Sequence, residues 1–159
     1  MLKRKASRRR PKQVIGHTDR IDFPDLELSD LEAKIDTGAF TSALHCTDVK
    51  LTPHGDRYQL LFTVVGPRGE KEKQFATEHF QYKTIKNSFG QSEKRFVITT
   101  RVLIMNRLVQ AEFSLANRGT MRYPVLLGRK LLRNKFVVDV SLRNVSYEMK
   151  RGIPAVDQR

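Results

Sequence analysis

Leu31-Glu-Ala-Lys-Ile-Asp-Thr-Gly-Ala-Phe-Thr-Ser-Ala-Leu44 changes character in its middle. Up to Ile35 it reads as an apolar strand, and Asp36 closes that strand. Thr37 and Gly38 turn the chain, and Thr41 to His45 begins another strand. A carboxylate at such a strand-end turn can be held by backbone N–H groups and aimed outward. Gly38 lets the backbone come close to a substrate or a partner subunit, and Thr37 offers a hydroxyl that can lock the loop. Asp-Thr-Gly on its own is also what an ordinary turn would use, because Asp and Gly are common turn formers.

Outward from this turn, strand patterns dominate. Gln59 to Val65 is β-rich and stops at the turn cluster Gly66-Pro-Arg-Gly69. Glu72 to His79 is read as its returning partner. In Arg95 to Met105, Phe96, Ile98, Val102 and Ile104 share one face. Asn106-Arg107 reads as a tight turn. In Leu108 to Ala116, Val109, Ala111, Phe113 and Leu115 share a side. Such alternation marks half-buried antiparallel strands. Val125-Leu-Leu127 is a short apolar run that ends at Gly128, and a short helix over Arg129 to Arg133 follows. Phe136 to Val140 and Arg143 to Met149 read as closing strands. The fold class expected is mostly β with one short helix.

The chain has 159 residues, room for one domain with tails. Its 39% apolar content, with 9 Phe, suffices for a core. Lys and Arg number 30 against 17 Asp and Glu, a net charge of +13. Residues 1–13 carry seven basic and no acidic side chains and are read as a mobile tail, with the domain over 14–150 and a short tail over 151–159. Removing the seven charges leaves +6 on the body. This charge suits a polyanionic partner, such as an acidic peptide, or a ribosome or RNA contact through residues 3–12. It equally suits a tail that only aids solubility. No RNP-type aromatic motif or zinc-finger pattern supports sequence-specific nucleic-acid reading. No apolar run is long enough for a membrane helix, and no secretory signal is visible. The single cysteine, Cys46, excludes an intramolecular disulfide framework and fits a reducing cytoplasm.

The pair formed by Asp36-Thr-Gly-Ala39 and the later Leu126-Leu-Gly-Arg129 resembles the signature of retropepsin-like aspartic proteases. The likeness extends to Ala33–His45, Arg95–Thr100, Asn117-Arg-Gly-Thr-Met121, Ile15-Gly16 and Phe23-Pro-Asp-Leu26. These segments are similar to the bacterial group labelled "ATP-dependent zinc protease", which is associated with ATP-grasp glutamate ligases. Phe40 stands where that group more usually has Arg or Lys. The resemblance implies a retropepsin-like barrel with Asp36 catalytic and Thr37, Gly38 and Ala39 forming the active-site loop. Leu126, Leu127, Gly128 and Arg129 would form the supporting loop. It also implies a flap hairpin over 81–96 with its tip at 88–92, where Lys83, Lys86, Gly90, Lys94 and Arg95 would meet substrate. The turn at 66–69 is the competing flap candidate.

An aspartic protease needs two carboxylates, one ionised as general base and one protonated as acid. This chain has one Asp-Thr-Gly, so the reading requires a two-fold homodimer with Asp36 facing Asp36. Ala39 lacks the hydroxyl found after the glycine in pepsins. Losing that hydrogen bond to the charged form would raise the pair's pKa values. A basic flap suits an acidic peptide, such as a glutamate-rich one. No zinc site is expected: His17, His45, His54 and His79 lack the His-Glu-x-x-His spacing, and adjacent His45 and Cys46 point to opposite faces of a strand. No phosphate-binding glycine loop of the Gly-x-x-x-x-Gly-Lys type is present, and no cofactor is expected. Two alternatives remain: a non-catalytic module of the same fold binding an anionic ribosomal protein tail or RNA, and a metal-dependent hydrolase.

Overall fold

The computed structural model describes residues 10–66, 73–87, 89–119 and 122–152. Most of the basic stretch, residues 1–9, and the turn at 67–69 lie outside the described residues. Period-two segments become strands almost throughout. In chain order they are β1 (Gln13–Ile15), β2 (Thr18–Phe23), β3 (Leu28–Ile35), β4 (Ser42–His45), β5 (Thr47–His54) and β6 (Arg57–Val64). There follow β7 (Lys73–Thr77), β8 (Phe80–Lys86), β9 (Ser92–Ile104), β10 (Arg107–Ala116), β11 (Val125–Leu127) and β12 (Phe136–Val138). Two short helices, α1 (Arg129–Leu132) and α2 (Val145–Lys150), complete the chain.

Strands β10, β4, β11, β3, β2 and β9 pair in that order, and β9 pairs again with β10, which closes a barrel of six strands. A closed barrel leaves few open edges. β8 extends outward from β9 as a hairpin, β5-β6-β7 form a separate sheet, and β1 pairs in parallel with β12. Inside lie Ile21, Phe23, Leu31, Leu44, Ile104, Phe113 and Leu127, with Phe23 and Phe113 edge to face at 5.1 Å between ring centroids. This is the mostly β retropepsin-like barrel that the sequence implies.

Two local readings need correction. The tight turn falls on Met105 and Asn106, with φ of 53° and 55°, rather than on Asn106-Arg107. Positive φ at both central residues is the geometry that two-residue hairpins favour. The second concerns Arg143 to Met149, read as a strand. Residues 145–150 are helix α2, because Asn144 leaves the extended region at φ 56°. The buried Asp19 carboxylate then accepts the backbone N–H groups of Ser146 (2.9 Å) and Tyr147 (3.0 Å). Val145 and Met149 pack on the core with helical spacing. Val145, Tyr147 and Met149 imitate a strand period, while the residues that face the core are Val145, Ser146 and Met149.

Candidate active site

The floor of the site is built from backbone. On β3, Leu31, Ala33 and Ile35 face the core, so Lys34 and then Asp36 fall on the opposite side. Where β3 ends, the Asp36 N–H donates to the Leu127 carbonyl at 2.9 Å. Asp36 Oδ1 accepts the Gly38 N–H at 3.1 Å, and the Asp36 carbonyl accepts the Ala39 N–H at 3.2 Å. These bonds fix the carboxylate on a tight turn.

Each residue of the expected supporting loop takes part. Leu127 supplies the carbonyl just named and is fully buried, whereas Leu126 faces the cleft beside Asp36. The Gly128 N–H donates to Ser42 Oγ at 3.0 Å. A Cβ on Gly128 would lie 2.7 Å from the Phe40 carbonyl oxygen. Its φ of −92° is open to any residue, so glycine is required here for space. Arg129 donates its N–H to the Ala39 carbonyl at 2.8 Å and Nη1 to the Thr37 carbonyl at 3.0 Å. Its guanidinium also lies over the Phe40 ring, 5.8 Å from the centroid. Thr37 and Gly38 themselves are exposed, and among the described residues the Thr37 hydroxyl has no partner within the chain.

The roof is the β8–β9 hairpin. Its tip residues Asn87, Phe89 and Gln91 border a cleft of about 1040 Å³ whose lining also includes Asp36, Ala39 and Leu126. Gly90, with φ 79°, turns the tip, and Asn87 Oδ1 accepts the N–H groups of Phe89 and Gln91, each at 3.0 Å. Of the basic residues expected to meet substrate here, Lys86 and Arg95 do line the cleft. Lys83 and Lys94 do not. Lys83 is drawn to Glu112 on β10 at 3.1 Å, where Lys130 of α1 also binds at 2.9 Å, and Lys94 lies over the Tyr82 ring. Lys130 first and then Lys83 hold the Glu112 carboxyl below its ordinary range.

Phe89 falls within the expected flap tip, whereas sequence reasoning missed the cleft roles of Lys34, Arg118, Arg122 and Tyr123. Lys34 was legible, since it stands two residues before Asp36 on a strand. Ser42 was also missed. Its hydroxyl takes the Gly128 N–H and its carbonyl accepts the Ser114 hydroxyl, a pair of bonds that joins β4 to both neighbours. The cleft thus carries Lys34, Lys86, Arg95, Arg118 and Arg122 against Asp36 and Glu93.

The histidines are engaged separately. His17 Nδ1 meets the Leu142 carbonyl, His54 meets Glu78, and His45 Nδ1 accepts the Arg118 N–H at 2.6 Å. Among the described residues no three His, Cys, Asp or Glu side chains converge as a metal site would require. Cys46 is buried, and burial pushes its thiol up to about 12, so it is not a nucleophile at neutral pH. Among the described residues no helix is long and apolar enough to cross a membrane.

A six-strand barrel with an Asp-Thr-Gly turn buttressed by Leu-Leu-Gly-Arg defines the retropepsin-like class of aspartic endopeptidases. Comparison with known families agrees: the RimB-like model, "Retropepsin-like aspartic endopeptidase RimB", matches residues 14–149, and the chain belongs to that family. A crystal structure of Lpg0085 from Legionella pneumophila, a protein of unknown function, is similar with a TM-score of 0.67 at 25% identity, covering 84% of this chain and 97% of that one. Proteins named "Probable alpha-L-glutamate ligase" are also similar. That of Desulfotalea psychrophila is 29% identical over 134 residues, 83% of this chain. That of Shewanella pealeana is 30% identical over 132 residues, 82% of this chain. This chain spans only 29% of the length of either ligase.

Proposed function

We propose that the protein is a homodimeric aspartic peptidase that hydrolyses acidic, glutamate-rich peptides in the cytoplasm. The observation that carries the reading is the backbone-held Asp36 turn opening into a cleft lined by basic side chains. One chain supplies one carboxylate to such a site, so the second comes from a second copy. The exposed Thr37-Gly38 turn and the half-exposed Phe40 offer the surface for that approach. The Thr37 hydroxyl, without a partner among the described residues, would bond the facing loop.

In the dimer, two carboxylates about 3 Å apart share one proton. The ionised one takes a proton from water as the oxygen attacks the peptide carbonyl, and the protonated one donates to the carbonyl oxygen. Collapse of the tetrahedral intermediate expels the amine, which leaves with a proton returned from the pair. The names of the ligase relatives support glutamate-rich substrates, since a ligase and a peptidase act on the same bond in opposite directions.

The test is Asp36→Asn. The amide keeps the shape of the turn and cannot act as a base, so cleavage of a glutamate-rich peptide should fall by about 10²–10⁴-fold or more. Melting temperature and dimer mass by sedimentation should stay close to the parent's. A mutant as active as the parent ends the peptidase reading. A parent that cleaves neither acidic nor neutral peptides between pH 4 and 8, yet binds the acidic one, favours a non-catalytic module.

A further inference from the structure

Five basic side chains line the cleft, and Arg118 differs from the rest. It follows β10 and is only 9% exposed. Its backbone N–H is tied to His45 Nδ1, and its Nε donates to the Tyr123 carbonyl at 3.3 Å. These bonds fix the start of the side chain and one edge of the guanidinium. Among the described residues no carboxylate lies within ion-pair distance of it. Arg95 beside it gives its Nε to Glu93 at 2.6 Å, Arg122 packs over the Tyr123 ring, and Lys34 and Lys86 are exposed to solvent.

A guanidinium withdrawn from water without an anion is unfavourable unless an anion arrives to meet it. Its free Nη edge is a planar fork that fits a carboxylate through two parallel bonds. Arg118 and Asp36 line the same cleft, so a peptide lying across Asp36 can bring a carboxylate to the guanidinium. Burial and then the Arg95 charge hold the Arg118 pKa below its ordinary value, which is the cost that such an anion would relieve.

We propose that Arg118 is a specificity-determining residue that binds one carboxylate of the peptide next to the scissile bond. Acidity is then demanded at a single substrate position, rather than attracted diffusely by the +13 chain. This rests on the peptidase reading above. Two sources carry the required group: an acidic side chain, and the C-terminal carboxylate of the peptide.

The experiment uses the full chain and a glutamate-rich peptide in which each Glu in turn becomes Gln, with a further arm amidated at the C-terminus. The parent should lose kcat/KM by about 10- to 100-fold at one position, or on amidation, and much less elsewhere. Arg118→Gln should collapse that one ratio toward unity. Arg118→Lys, which keeps the charge on a flexible stem, should reduce the ratio in part and provides a second variant if the first fails to fold. The proposal is overturned if either folded variant keeps the parent's ratio, or if the parent discriminates equally at every position. Should the peptidase reading fail, the same peptide set is titrated for binding by fluorescence anisotropy. The same single-position preference, lost in Arg118→Gln, then still supports the subsite, and its absence from the parent sinks it.

Discussion

The floor and the roof of the cleft are held by different kinds of force. At the floor, the Asp36 turn is fixed by backbone hydrogen bonds to Leu127 and Arg129 inside a closed barrel, the Gly128 N–H is taken by the Ser42 hydroxyl, and neighbours are so close that Gly128 has no room for a methyl group. At the roof, the hairpin is held by its own ladder and by partly exposed ion pairs such as Lys83–Glu112, and Phe89 at its tip is 89% exposed. Exposed ion pairs contribute little and weaken with salt, whereas buried backbone bonds cannot be lost without leaving polar groups unsatisfied. The floor is therefore the more firmly held of the two.

The largest test of this contrast is Gly128→Ala. A Cβ placed 2.7 Å from the Phe40 carbonyl must displace the Asp36 loop itself. Destabilisation of about 1–3 kcal/mol is expected from such overpacking, measured by urea unfolding, together with a large fall in kcat. Unchanged stability would show the floor to be more yielding than its hydrogen bonds imply.

Phe89→Ala probes the roof. Stability should stay within about 0.5 kcal/mol, as for exposed sites generally. KM should rise by up to about tenfold, the scale of part-burying one aromatic side chain against a substrate. If kcat fell and KM held, the tip would belong with the floor.

The smallest effect expected lies behind the cleft wall, at His45, which holds the Arg118 N–H. Burial, helped by the Arg118 charge, lowers the His45 pKa below its ordinary 6.5, against a pull from the Ala116 carbonyl. The folded state then binds fewer protons at this site than the unfolded chain. Its contribution is fully present above pH 6.5 and is lost as pH falls through the depressed folded value. His45→Asn keeps an acceptor near Nδ1 and does not titrate. The parent's melting temperature should therefore drop more steeply between pH 7 and 5 than the variant's, and equal slopes would remove His45 from the account.

The contrast also explains what could be read in advance. The floor is local and repeats a fixed logic: apolar alternation up to Ile35, a turn of Asp, Thr and Gly, and an apolar run ending at Gly128. Each is visible in the order of residues. The roof's position was legible from its turn and flanking strands, but the destinations of its lysines were not. Lys83 lies on a strand face whose cross-strand neighbour is Arg95, and only the fold reveals Glu112 nearby to draw it aside. Arg118 was hidden for a similar reason. Nothing in Asn117-Arg-Gly119 distinguishes a solvated arginine from one that His45, 73 residues away, pins into a cleft wall. Helix α2 was lost because Asp19, the group that receives its first N–H donors, comes from the other end of the chain.

The parallel pairing of β1 with β12 has a consequence for how such a chain can be combined with others. Gly16 packs against the Leu142 backbone so closely that a Cβ would stand 2.2 Å from its carbonyl oxygen, and the His17 N–H donates to the same oxygen. Helix α2, which follows, comes back to the same place: Gln13 of β1 donates to the Met105 carbonyl and Ser146 of α2 accepts the Met105 N–H, so the path into the fold and the path out of it share a neighbour. A unit entered and left at one edge can be carried by a longer polypeptide without prising its barrel apart. The glutamate ligase relatives, more than three times as long as the segment they share with this chain, have the length to make that arrangement.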